Sequence, residues 1–148
     1  MSGARVIVGG NARPALKAAL ESLKGDRAEL MLRDIGEYLV NSTRERARRQ
    51  VSPSGQRWQP LSPAYKAYKQ RKRPGKPILE FDFHMLGDMF SAHPEGTTLL
   101  VGTNAVYGAT HQFGRGKIPA RPFLGLSDAD LAEIDLLVED HLDASFPG

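Results

Sequence analysis

The stretch Thr97-Thr98-Leu99-Leu100-Val101-Gly102-Thr103 decides how this chain is read. Leu99, Leu100 and Val101 form an unbroken apolar run, the mark of a strand buried in a core rather than one with a wet face. Its neighbours in sequence extend the same theme. Ile78–Phe83 reads as a strand before it, and Val106–Gln112 is a candidate third strand after it. Far upstream, Arg5-Val6-Ile7-Val8 followed by Gly9-Gly10 reads as a short strand closed by a turn.

Helical patterns lie on both sides of these strands. Pro14 suits the first turn of a helix whose Leu16, Leu20 and Leu23 share a face, and Gly25 stops it. Asp26 then reads as the N-cap of a second helix, with Glu29 in a capping-box position. Met31, Ile35, Tyr38 and Leu39 give that helix an apolar stripe, and it runs to about Gln50. One kinked helix would satisfy the same pattern. Ser127 caps a last helix, with Leu131, Ile134, Val138 and Leu142 as its buried side. Helices followed by strands and a closing helix predict an α+β domain over residues 1–148. In it, amphipathic N-terminal helices and a C-terminal helix pack on a small, mainly antiparallel sheet.

Between these parts lies a different kind of sequence. Residues 51–77 hold prolines at 53, 60, 63, 74 and 77 and glycines at 55 and 75, which forbid a long regular element. A short helix opening at Ser62-Pro63 would carry Tyr65 and Tyr68, and Gln70–Lys76 reads as a basic loop. The segment is expected to be a mobile loop or arm.

Charge follows these divisions. The 148 residues carry a net charge of +3, yet residues 44–76 hold eleven cations against one acid, and residues 77–148 hold three against eleven. The basic segment, Arg44, Arg46, Arg48 and Arg49 with Arg71, Lys72 and Arg73, interleaves with Trp58, Tyr65 and Tyr68. Cations between aromatics suit phosphates and bases. They equally suit an acidic protein surface, which a second copy of this chain supplies, and head-to-tail docking of opposite patches closes rings. Charge alone does not choose between them.

Other chemistry is excluded or weak. With no cysteine there is no disulfide, zinc–thiolate site, iron–sulfur cluster or thiol nucleophile, which fits a reducing compartment. No apolar run nears the roughly 20 residues that cross a bilayer, and Met1–Gly10 lacks the features of a signal peptide. His84, His93, His111 and His141 show no metal-ligand spacing, so structural or surface roles read better. Gly75-Lys76 and Gly116-Lys117 lack the rest of a phosphate loop, and no GxSxG elbow exists. The acid pairs Asp128/Asp130 and Glu139/Asp140 read as a solvated helix face. No catalytic residue, cofactor or metal is expected.

The most distinctive stretch is Tyr107-Gly108-Ala109-Thr110-His111-Gln112-Phe113-Gly114, followed by Ile118-Pro119-Ala120-Arg121-Pro122-Phe123-Leu124-Gly125-Leu126-Ser127. With Val101-Gly102-Thr103-Asn104 before it, and Pro53-x-Gly55-x-x-Trp58-x-Pro60-Leu61-Ser62 upstream, the chain resembles the phage virion morphogenesis family of Mu-like tail-completion proteins. The resemblance covers most of the chain in order. Two departures stand out: Gly108 replaces a more usual Ala, and Ile78–Gly87 lacks the expected Thr-Gly.

The resemblance implies a non-catalytic structural protein of a phage or prophage virion, at the head–tail junction or tail end, assembled in the host bacterial cytoplasm. A homo-oligomeric ring contacting other head, neck or tail proteins follows from it, with nucleic acid secondary and no membrane. Trp58, Tyr107, His111, Gln112, Phe113, Arg121 and Phe123 are the expected interface residues. Pro119 and Pro122 restrict the backbone around Arg121, whose planar guanidinium suits carboxylates or carbonyls. Those acceptors lie in a neighbour or within the same subunit.

Overall fold

The computed structural model describes residues 3–60, 62–72, 74, 90–105 and 108–147. Along the chain run β1 (Ala4–Val8), α1 (Pro14–Ser22), α2 (Asp26–Arg49), α3 (Pro63–Lys72), β2 (Phe90–Glu95), β3 (Thr98–Thr103), α4 (Gly108–Phe113) and α5 (Asp128–Ser145). The fold is α+β. β3 is the central strand of an antiparallel sheet ordered β1-β3-β2 among the described residues, with Val6 and Ala92 both opposite Val101.

Alternation along the strands sends one set of side chains to the core. Ala4, Val8, Phe90, Leu99, Val101 and Thr103 are buried, whereas Arg5, Ile7, Ser91, His93 and Glu95 stand exposed on the other face. Helix α2 lies across the buried face with Met31, Leu32, Ile35 and Leu39. Gly36 sets how close it comes: a Cβ there would sit 3.0 Å from both the Ala92 Cβ and a Leu99 methyl. A mid-helix glycine costs about 1 kcal/mol relative to alanine, and the close helix–sheet contact accounts for its presence. Helix α5 packs against α2 and α1, burying Ile134 and Val138. Arg13, at the N-cap of α1, donates to the Asp135 carboxylate of α5, and His141 meets Asp34 across α2 and α5 at 2.6 Å.

The expected break at Gly25 is present: Leu23 is extended and Gly25 has φ 54, so α1 and α2 are two helices and not one kinked helix. Other features differ from expectation. The apolar run of β3 is buried on one face only, with Leu100 half-buried on the other. Gly25, not Asp26, is the N-cap of α2, and no side chain caps it; Asp26 and Glu29 lie inside the first turn, near the positive end of the helix dipole. The candidate strand Val106–Gln112 is instead helix α4 over its described part, begun by a Gly108 N–H bond to Ala105 and closed by Gly114 N–H to Thr110. β2 had no counterpart in the sequence reading, because Pro94 weakens any strand pattern; among the described residues β2 lies at the edge of the sheet, where a proline is tolerated. The expected strand Ile78–Phe83 lies outside the described residues.

Candidate interaction site

The two motif stretches, some sixty residues apart, fold into one unit. Trp58 is buried and its Nε1–H donates to the Pro122 carbonyl at 2.7 Å. Arg121, also buried, reaches back: Nε donates to the Gln59 carbonyl at 2.8 Å and Nη2 to the Pro60 carbonyl at 3.0 Å. Gly125 closes the contact, since with φ +141 it packs against Pro53, where a Cβ would stand 2.9 Å from the ring. Residues 51–60 are thus stapled to the body, helped by the Val51–Arg57 bridge and the Trp58 N–H bond to Gln50. Within the expected arm, this half is fixed by hydrogen bonds. Of the two readings of Arg121, the geometry displays carbonyls of its own subunit.

The second motif also holds itself. The Gln112 side chain imitates a strand neighbour: Oε1 accepts the Phe123 and Leu124 N–H groups at 3.0 and 2.9 Å, and Nε2 donates to the Leu124 carbonyl. Arg121 N–H donates to the His111 carbonyl at 2.7 Å. Phe123 and Leu124 fill the core. Gly114 (φ +78) lies so close to the returning chain that a Cβ would be 2.9 Å from the Ala120 nitrogen. A Cβ on Gly108 would meet the Thr103 methyl at 2.6 Å, so the absence of a side chain lets α4 start close against β3.

Beneath this unit lies a buried charge pair that the sequence reading missed. Asp130 is 1 % exposed and Arg46 4 %. Arg46 Nη1 donates to Asp130 Oδ2 at 2.7 Å, and Nη2 donates to the Phe123 and Gly125 carbonyls at 3.2 and 3.1 Å. Asp130 also accepts from the Tyr38 and Ser42 hydroxyls and the Ser127 N–H, while its own N–H donates to Ser127 Oγ in a reciprocal capping box. Asp130 is therefore no part of a solvated face, although Asp128, Glu139 and Asp140 are exposed as expected. Arg46 likewise departs from the basic surface. Arg48 and Arg49 remain exposed, Arg48 within reach of Glu45 at 3.3 Å, and Arg44 is half-buried. Arg71 and Lys72 are exposed on α3; Arg73 and Tyr107 lie outside the described residues.

The electrostatics give a pH signature. Burial alone would raise the Asp130 carboxyl, but the Ser42 hydroxyl, the Ser127 amide, Arg46 and Tyr38 together hold it below the ordinary carboxylate value. Burial, then the Arg121 cation, pushes the His111 imidazole below its usual value. Both folded-state values lie beneath the unfolded ones, so the unfolded chain binds more protons in each window. Stability should be level above about pH 6.5, fall as His111 is forced to protonate, and fall again below about pH 4 as Asp130 does. Urea midpoints between pH 3 and 8 check this; a rise in stability on acidification below pH 6.5 would contradict it.

What stays on the surface is selective. Phe113 is 75 % exposed and Ile118 46 %, on either side of a tight turn closed by the Arg115 and Ile118 backbones. An open groove of about 850 Å³ runs past Arg44, Arg48, Arg49, Ser54 and Asp128 at the C-terminal end of α2. Among the described residues no three potential metal ligands cluster, and no helix is long and apolar enough to cross a membrane.

Two curated proteins and one family model match this chain. Over 115 residues, 74 % of this chain and 79 % of the relative, the chain is 30 % identical to the Mu-like prophage FluMu G protein 1 of Haemophilus influenzae. It is 37 % identical over 86 residues to FluMu G protein 2 of the same organism, spanning 53 % of this chain and 59 % of that one. No solved structure matches. The model of the phage virion morphogenesis family, a structural family and not a known enzyme class, matches residues 10–143. That span takes in both motifs, the staple between them and the charge pair beneath, and the chain belongs to the phage virion morphogenesis family, with a part in assembling a phage virion.

Proposed function

We propose that this protein completes the tail or joins head to tail in a phage or prophage particle, acting as a ring-forming structural subunit through binding alone. The observation that supports this best is how the motif residues are used. Trp58, Gln112, Arg121 and Phe123 hold the chain to itself, and their product is a rigid turn that presents Phe113 and Ile118 to the outside. Rigid apolar anchors on a preorganised loop serve association, because little freedom is lost on docking. The protein acts in the virion, at the head–tail junction or tail end, after assembly in the host cytoplasm. Deleting its gene from an inducible phage should leave heads and tails that do not join, or tails of abnormal ends, by electron microscopy. Normal infectious particles from the deletion strain would remove this reading.

A second reading has its own support. The groove beside Arg44, Arg48 and Arg49 and the exposed Lys66, Arg71 and Lys72 of α3 offer cations to a phosphate backbone. Duplex DNA binding that weakens steeply with salt would favour it, and Arg49→Ala should then lower the salt slope by about 1. No binding at low salt disposes of it.

A further inference from the structure

Helix α5 has an outer face at odds with its setting. Its inward side carries Asp130, Ile134 and Val138, so helical spacing places Ala129, Ala132 and Leu136 in a strip on the opposite side. Leu136 is 55 % exposed at the centre of that strip. Asp128, Glu139, Asp140 and Asp143, all exposed, surround it, and the helix carries no Lys or Arg. The surface is a small apolar strip rimmed by acid.

Its chemical complement lies elsewhere on the same chain. The turn at residues 113–118 offers two exposed apolar side chains, Phe113 and Ile118, beside two exposed cations, Arg115 and Lys117. The turn is held by the Arg115–Ile118 backbone pair, by Arg121 N–H on the His111 carbonyl and by the Gln112 side chain on the chain at 123 and 124. A fixed aromatic within a basic rim matches an apolar strip within an acidic one, in both apolar and charged character.

We propose that the 113–118 turn of one copy seats on the outer face of α5 of the next, with Phe113 and Ile118 against Leu136 and Arg115 and Lys117 toward Asp140 and Asp143. The two surfaces are different patches of one chain, so the contact is heterologous, and repetition closes a ring or extends a filament. This rests on the self-association in the proposed function and names the surfaces that carry it.

The test uses two surface variants of the full chain, Phe113→Asp and Leu136→Asp. Both side chains are exposed, so circular dichroism and thermal midpoints should match the parent. By sedimentation velocity the unmodified protein should associate, and each variant alone should associate about 30-fold more weakly, the scale of losing one interface anchor. Mixed together, the variants should form a 1:1 dimer that grows no further, because the intact turn of the Leu136→Asp chain meets the intact α5 of the Phe113→Asp chain. Arg115→Asp with Lys117→Asp should also weaken association, and Asp140→Lys with Asp143→Lys on the partner chain should restore it. Association of either single variant equal to that of the parent would overturn these surfaces while leaving self-association standing. An unmodified protein that is monomeric at every concentration would overturn both readings.

Discussion

Arg46→Ala should be among the most damaging single substitutions in this chain, costing about 3–5 kcal/mol of folding stability. The reason is what it leaves behind. Asp130, 1 % exposed, keeps its bonds to Tyr38, Ser42 and Ser127 but loses the only opposite charge at hydrogen-bond distance among the described residues. The Phe123 and Gly125 carbonyls lose a charged donor at the same time. Because domains of this kind hold only about 5–15 kcal/mol in total, the melting midpoint should drop by roughly 10 °C or more. Asp130→Asn tests the other half. It keeps the shape and accepts hydrogen bonds but leaves the Arg46 cation buried without its counter-charge, so it too should be strongly destabilising. Replacing both with apolar residues should recover much of the loss, since desolvating the pair offsets most of its attraction. Equilibrium urea unfolding of the three variants checks this, and an Arg46→Ala loss under 1 kcal/mol would contradict the clamp.

Trp58→Ala should cost about 3–5 kcal/mol, the range for removing a large buried aromatic side chain. Trp58→Phe separates the causes: it retains most of the packing and loses the bond to the Pro122 carbonyl, so about 1 kcal/mol is expected. Arg121→Ala acts on the same staple and should cost about 1.5–3 kcal/mol, because the Gln59 and Pro60 carbonyls lose a charged donor. Arg71→Ala, on the exposed surface of α3, should stay within about 0.5 kcal/mol. In a phage complementation assay, Trp58→Ala and Arg121→Ala should lower titre more than Arg71→Ala. Equal effects of Arg121→Ala and Arg71→Ala in both assays would argue against the staple.

Much of this was written in local pattern. The run Leu99–Val101 marked the strand that is the centre of the sheet, although only Leu99 and Val101 face the core and Leu100 is half-buried on the outer face. Leu16, Met31, Ile35, Leu39, Ile134 and Val138 marked helix faces that are buried. Other features are invisible to local pattern because their cause is tertiary. Thr110, His111 and Gln112 suit strand and helix almost equally, and only the returning chain at 121–124 makes a helical turn the better choice. Asp130 sits in an acid-rich helix where solvation is the ordinary fate; its burial depends on Arg46, 84 residues away. For the two members of the charge pair a weak signal did exist. Ser127-x-x-Asp130 is a capping pair, and Arg46 continues the 3–4 spacing of Leu39 and Thr43, both buried, whereas Arg48 leaves it.

The staple also sets where the chain is not free to change length. Arg121, Pro122 and Phe123 each meet a partner fixed by a different part of the chain: the Gln59 and Pro60 carbonyls, the Trp58 indole and the Gln112 amide. A single residue added between Pro119 and Gly125 would shift all three out of register with those partners. Relatives in this family should keep that interval at one length.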